Sequence, residues 1–314
     1  MLPYIVKIGP LTLYSYGLML ATGFLVGAWL MRIELRRWGY DERISDHVAI
    51  AAMVGGVLGA KVWHMLIDEP GRLFSDPVGA IFSGSGLTFY GGLILGMGLI
   101  YLVARHHRMP FLRMLDMLGP IGVMGYGFGR CGCFLSGDGD YGIPTNLHHN
   151  GIYDPPMISL PGGGFEVPND LPWTMSFPNG TVPSTIPVHP TPLYEIAIMW
   201  AAFAVLWFVI RRKPLPRGMM IAISLIVMGV ERLFTEIWRV SASLLYGFRT
   251  DLGYTTQAEL DAFSRAVKAH YGLLGLSNAQ WTSVGMIVFA VLLIIVIWKR
   301  PKVTPESESA GESG

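Results

Sequence analysis

The sequence predicts an all-α integral membrane protein with seven transmembrane helices, its N-terminus outside and its C-terminus inside. Three observations lead there. Of the 314 residues, 52% are hydrophobic and only 14% charged, whereas a soluble domain carries roughly a quarter charged residues. Apolar stretches of about 20 residues, the length that crosses a bilayer, recur seven times. Lys and Arg gather in alternate connections, the pattern that sets orientation. The net charge of +1 adds nothing, because the asymmetry lies between loops.

The expected spans are Leu11–Met31, His47–Ile67, Gly86–Ala104, Leu115–Leu135, Leu193–Ile210, Gly218–Trp238 and Ser283–Trp298. No small-residue cleavage signature follows the first, so it reads as a retained span rather than a signal peptide. Small-xxx-small pairs recur within the spans: Gly23/Gly27, Gly55/Gly59, Gly92/Gly96 and Gly125/Gly129. Such pairs let helix backbones approach closely in lipid and predict a compact bundle. Cys131 and Cys133 are the only two cysteines. Two apart on a helix, their side chains diverge and do not favour a disulfide.

Fourteen of the 23 Lys and Arg residues fall on one side, at positions 32–43, 105–113, 211–217 and 299–302. The other side holds five: Lys7, Arg72, Arg249, Arg265 and Lys268. Two long loops are therefore outside, about 137–192 and 240–282. The first contains no Lys or Arg and holds 11 of the 21 prolines, which reads as an irregular translocated cap. The second contains a short helix, opened by a capping box of Thr256 and Glu259, with Leu260, Phe263 and Val267 on one face. Residues 1–300 make one seven-span membrane domain. Residues 301–314, rich in Ser, Glu and Gly, form a disordered cytoplasmic tail.

Lys61, Arg130, Glu195, Glu231, Arg232, Glu236 and Arg239 lie in spans or at their edges. A charge is costly in hydrocarbon, so each marks a candidate site. Arg130 is about 21 Å from the inner start of its span and Arg232 about 22 Å, at about 1.5 Å per residue. In a core of about 30 Å, both sit in the outer half at nearly one level. Lys61, Tyr90 and Glu195 are also near outer ends of their spans. Two guanidinium groups at headgroup depth suit a lipid phosphate. Arg232, Glu236 and Arg239 share a helical face, so Glu236 can orient both arginines. The bland alternative is that these charges only pair and hold helices together.

The run Gly129-Arg130-Cys131-Gly132-Cys133-Phe134-Leu135-Ser136-Gly137-Asp138 resembles the signature of the prolipoprotein diacylglyceryl transferase family, Gly-Arg-x-Gly-Asn-Phe-x-Asn-x-Glu-x-x-Gly. Further segments resemble that family in the same order: Tyr16-Gly17, Gly59-Ala60-Lys61, Gly91-Gly92-Leu93-Ile94, His189-Pro190-Thr191-Pro192-Leu193-Tyr194-Glu195 and Arg232-Leu233-Phe234-Thr235-Glu236-Ile237-Trp238-Arg239. Ser277 and Gln280 precede the seventh span as in the family. Several positions depart from it, among them Lys61, which stands for an Arg. Tyr90 stands for a His, Cys133 and Ser136 for Asn, and Asp138 for Glu.

The resemblance implies transfer of diacylglycerol from phosphatidylglycerol to the thiol of a lipobox cysteine, with release of glycerol phosphate, at the outer leaflet of a bacterial inner membrane. The implied partners are phosphatidylglycerol, prolipoprotein signal peptides and the bilayer, with no nucleic acid. No cofactor or metal is expected. The catalytic candidates are Arg130, Arg232, Tyr90, Glu236, Asp138 and His189. The lipid-binding candidates are Arg130, Arg232, Arg239, Tyr16, Lys61, Tyr194 and Glu195.

Plainer roles stand beside these. Tyr16, Tyr90 and Tyr194 suit an interface belt of aromatics, and His189 suits a structural hydrogen bond as well as a base. His148 and His149 lack a third ligand at zinc-site spacing. Each cysteine suits a small buried hydrophobe. A seven-span transporter or receptor is the rival class, but the buried charges gather at one leaflet rather than tracing a path across. An intramembrane serine protease would have to use Ser85 and His64, which nothing else connects. A paralogue with altered lipid or acceptor preference is a third reading.

Overall fold

The computed structural model describes residues 2–8, 11–68, 88–142, 158–159, 165–166, 172–182, 184–239 and 276–304. Seven α-helices lie among them: α1 Ser15–Arg37, α2 Ile44–Trp63, α3 Phe89–His106, α4 Phe111–Ser136, α5 Thr191–Phe208, α6 Met219–Thr235 and α7 Asn278–Ile297. A π-helical turn, His64–Asp68, prolongs α2. Six short strands form three antiparallel pairs: β1 Tyr4–Ile8 with β2 Leu11–Tyr14, β3 Ile158–Ser159 with β4 Phe165–Glu166, and β5 Met175–Phe177 with β6 Ser184–Val188. Four helical segments are long and apolar enough to cross a membrane: Ser15–Arg37, Ile44–Ile67, Thr191–Arg212 and Ala279–Ile297. At 17 residues, α6 falls short in length, and α4 carries Arg113, Asp116 and Arg130.

The distribution of side chains is that of a membrane protein. Large apolar groups face outward, among them Leu25 at 73% exposed on α1 and Ile295 at 64% on α7. Polar groups are hidden: Thr191, Glu195, Thr235 and Ser277 are fully buried. Apolar outside and polar inside is favourable only where the surroundings are hydrocarbon.

Several boundaries differ from expectation. Span one was expected from Leu11, but Leu11–Tyr14 is a strand and α1 begins at Ser15. Gly9-Pro10 is a turn signal, and the alternating Tyr4–Ile8 and Leu11–Tyr14 pair across it. The hairpin is tied to α1 by the Ser15 N–H and hydroxyl on the Pro3 carbonyl, and to α4 by Leu2 N–H on the Leu135 carbonyl. The seventh helix begins before Ser283, at Asn278. The Ser277 hydroxyl accepts from Gln280 N–H and the Gln280 side chain accepts from Ser277 N–H, a complete capping box. Span six was expected to run to Trp238, but α6 ends at Thr235. The N–H groups of Ile237, Trp238 and Arg239 then reach back three residues, a tightened last turn. The expected outer helix near Thr256–Val267, His148, His149 and Ser85 lie outside the described residues. So do residues 305–314 of the expected tail; within its described part, 301–304, Val303 bridges Leu215.

The chain forms two compact units. The first comprises Met1–Gly23, Gly122–Lys213 and Ala222–Lys299; the second comprises Phe24–Ile121, Pro214–Ile221 and Arg300–Gly314. The second is built on α2 against α3. A Cβ at Gly55 would lie 2.6 Å from Gly96 Cα, and one at Gly59 would lie 2.3 Å from the Gly91 carbonyl oxygen. Two of the four glycine pairs thus face each other backbone to backbone. Gly125 and Gly129 meet nothing within 4 Å, whereas the neighbouring Gly127 lies against the Trp200 indole. Also in this second unit, Asp116 of α4 accepts from Gly218 N–H at 2.6 Å and from Ile221 N–H at 3.0 Å, capping α6 across helices.

Candidate active site

The first unit gathers three arginines and three carboxylates from α4, the loop after it, α5 and the end of α6. Glu195, in the first turns of α5, is their centre. Pro190 and Pro192 stop β6 and start α5, fixing where this residue enters. Its side chain has no solvent exposure and pairs with all three arginines: Arg130 Nε at 2.9 Å, Arg232 Nη1 at 3.2 Å and Arg239 Nη1 at 3.4 Å. Arg130 and Arg239 also share Asp140, each guanidinium taking one carboxylate oxygen. Arg232 pairs with Glu236 one turn on, at 3.2 Å. Glu236 in turn accepts from the Ser277 hydroxyl at 2.9 Å, so the capping residue of α7 also steadies the arginine cluster.

Tyr126, one turn before Arg130 on α4, joins the cluster. Its hydroxyl donates to Glu195 and accepts from Arg130 Nη2, both at 3.2 Å. The loop that leaves α4 closes another side. Gly137 and Gly139 have φ of 59° and 90°, values that favour glycine, and they turn the chain so that Asp140 faces back. Backbone bonds then pin this loop: Thr181 N–H to the Ser136 carbonyl, Val182 N–H to Gly137 and Gly142 N–H to His189. The Thr191 hydroxyl donates to the Asp140 carbonyl at 2.8 Å.

The structure places the expected residues unevenly. Arg130, Arg232, Arg239, Glu195 and Glu236 are together. Asp138 is beside them but accepts the Asp140 N–H at 3.2 Å. Burial, and then the Asp140 charge, raise the Asp138 carboxyl above its ordinary pKa. Tyr16 lies against Gly132, whose Cβ would come within 2.8 Å of its ring. Buried His189 has its Nδ1 3.3 Å from the Tyr194 hydroxyl, which accepts from Trp173 Nε1 at 2.8 Å. All three polar groups are satisfied when His189 carries its proton on Nε2. Lys61, buried near the end of α2, and Tyr90, half-exposed in the first turn of α3, belong to the second unit.

Sequence reasoning missed Asp140 and Tyr126. Asp140 had one faint signal, the Gly-Asp-Gly-Asp run at 137–140, in which the acidic position of the signature falls on Asp138. Tyr126 stands one turn before Arg130 and read as one more span aromatic. Cys133, Asp138 and Asp140 bring three ligand-type atoms within 4.8 Å of one another. Both Asp140 oxygens are engaged by guanidinium groups, so a cation there would compete with two arginines.

Comparison with known proteins decides the family. The model of the prolipoprotein diacylglyceryl transferase family matches residues 3–296. The chain belongs to that family. Among its relatives, the phosphatidylglycerol–prolipoprotein diacylglyceryl transferase of Cupriavidus pinatubonensis is 26% identical, over 99% of this chain and 97% of that protein. The proteins of the same name from Clostridium tetani and Chromohalobacter salexigens are 31% and 32% identical, each over 76% of this chain, and over 86% and 79% of their own lengths. This transferase therefore carries its arginine cluster within the matched region, on the segments His189–Glu195 and Arg232–Arg239 and at Arg130.

Proposed function

We propose that this transferase moves the diacylglyceryl group of phosphatidylglycerol onto the lipobox cysteine of a prolipoprotein, at the outer leaflet of a bacterial inner membrane. The observation that carries the reading is the set of three guanidinium groups converging on buried Glu195. A phospholipid phosphate is the anion that an apolar-coated bundle meets at headgroup depth, and planar forks match its oxygens.

The chemistry is an alkyl transfer. The cysteine sulfur attacks the glyceryl carbon that bears the phosphate ester, and the carbon–oxygen bond breaks. The bonding pair leaves on the phosphate oxygen of glycerol phosphate, and the thiol proton departs to a base. Charge grows on the leaving phosphate, and Arg130, Arg232 and Arg239 are positioned to neutralise it. Glu236 holds Arg232 in place. His189, with Tyr194, and Asp138 are the groups beside the cluster able to take a proton. Tyr16 supports the lipid near Gly132. For Lys61 and Tyr90 the assignment rests on the motifs Gly59-Ala60-Lys61 and Tyr90-Gly91-Gly92 alone. Seven spans, an outside N-terminus and the outer placement of 137–192 belong to the same proposal, on the fourteen-to-five distribution of basic residues.

The test is replacement of Arg130 or Arg232 by Gln, with transfer to a lipobox peptide as the readout. Either change lowers the rate by about a hundredfold or more, since one lost electrostatic donor costs about that much, while the protein stays inserted and folded. Arg130→Lys fails similarly, because an ammonium lacks the fork. Full activity in Arg130→Gln would remove the cluster from the mechanism.

A further inference from the structure

Among the described residues, the ion-paired groups of the arginine cluster already balance before any lipid arrives. Arg130, Arg232 and Arg239 bring three positive charges, and Asp140, Glu195 and Glu236 bring three negative ones, all within ion-pair distance. An anionic phosphate entering such a site must displace one of the carboxylates, or leave a negative charge uncompensated in a water-poor site.

Only one of the three is able to yield. Glu195 has no exposed side-chain area and is held by three arginines and Tyr126. The Glu236 side chain is 6% exposed and accepts from Ser277. The Asp140 side chain is 27% exposed, at the solvent edge of the cluster. Its two oxygens bind two different guanidinium groups, Arg130 Nη1 and Arg239 Nη2. Two anionic oxygens spanning two guanidinium groups is the arrangement a phosphate would make. Its backbone, by contrast, is fastened through the Thr191 hydroxyl on its own carbonyl and the bond of Gly142 N–H to His189. Exchange therefore needs only rotation of one short side chain, without movement of the loop.

Taking the proposed transfer as given, we infer that the Asp140 carboxylate is an internal stand-in for the lipid phosphate, seated between Arg130 and Arg239 until phosphatidylglycerol replaces it. The residue keeps the two guanidinium groups aligned in the resting enzyme, at the cost of weaker lipid binding. It also speeds departure of glycerol phosphate by returning to its seat when the product leaves. Asp140 is thus a positioning residue that sets affinity through competition, not a group that reacts.

Steady-state transfer from phosphatidylglycerol to a lipobox peptide tests this, comparing the parent with Asp140→Asn. An amide competes poorly for two guanidinium groups, so the fraction of sites open to phosphate rises. The expected result is a fall of about tenfold in KM for phosphatidylglycerol and in the inhibition constant of glycerol phosphate, because the apparent affinity no longer carries the closed fraction. The kcat does not rise, because the replaced carboxylate no longer speeds departure of glycerol phosphate. A KM that is unchanged or raised would show that Asp140 merely assembles the arginines, and the inference fails. A second measurement uses the parent alone and so does not depend on the variant folding. Carbodiimide-driven amidation, read by peptide mass, increases at Asp140 when glycerol phosphate is added; labelling that stays level or drops overturns the exchange. Should the parent transfer nothing from phosphatidylglycerol, the proposed function itself is at fault, an outcome distinct from either of these.

Discussion

Asp138 and Asp140 are two residues apart and differ in everything that decides a carboxylate's role. Asp140 faces two guanidinium groups, whereas Asp138 accepts a backbone N–H and is pushed above its ordinary pKa by burial and by its neighbour's charge. A carboxyl raised in the folded state favours folding when protonated. Its cost is therefore full above the raised pKa and disappears as pH falls below the unfolded value near 4. Asp138→Asn should raise the melting temperature in detergent at neutral pH, with the advantage shrinking to nothing towards pH 4; an advantage constant across that range contradicts the assignment. Tyr90 gives a second residue-scale test. If it replaces the family's His as a hydrogen-bond donor, Tyr90→Phe weakens transfer moderately and Tyr90→His is tolerated. Equal rates for Tyr90→Phe and the parent leave the hydroxyl without a part. The arginines were legible in the sequence because a charge inside an apolar run is conspicuous by its cost. Asp140 was not, because an acidic residue in a glycine-rich loop is ordinary until a fold brings two arginines to it.

At the scale of elements, small-xxx-small spacing predicted close helix packing without saying which helices meet, and α2 with α3 is one such close pair. Gly55 and Gly59 meet Gly96 and Gly91 with no room for a Cβ. Gly55→Val should therefore separate the two backbones and destabilise the protein by about 1–3 kcal/mol, the range for overpacking, read as a lower melting temperature in detergent. Gly125→Ala, where nothing lies within 4 Å, should change it little. Equal effects at the two sites would refute the packing. The spacing alone could not separate Gly125 from Gly127, since which glycine of a rich helix faces Trp200 depends on rotation about the axis. The N-terminal hairpin was hidden for a different reason. Leu11–Tyr14 is apolar and merges with the helix behind it, and the Gly9-Pro10 signal marks only the turn between the two strands. Helix α7 was found late by five residues because Ser277 and Gln280 are polar, although their spacing is that of a capping box.

For the whole molecule, composition alone gave a helical membrane protein, and the outward apolar, inward polar distribution agrees with it. Among the described residues, four helices have the length and hydropathy to span; the count of seven rests on the recurring apolar stretches, and the orientation on loop charge. Labelling of a cysteine introduced at Asn150 from outside the cell tests that orientation, and labelling only from the cytoplasmic side contradicts it. The central claim is the reaction. Purified protein, phosphatidylglycerol of one defined acyl composition and a synthetic lipobox peptide are incubated together, and the peptide is weighed by mass spectrometry. The account predicts a gain equal to one diacylglyceryl group on the cysteine, an equal quantity of glycerol phosphate released, and no gain when that cysteine is Ser. A peptide whose mass is unchanged, or whose gain survives the Ser replacement, contradicts it.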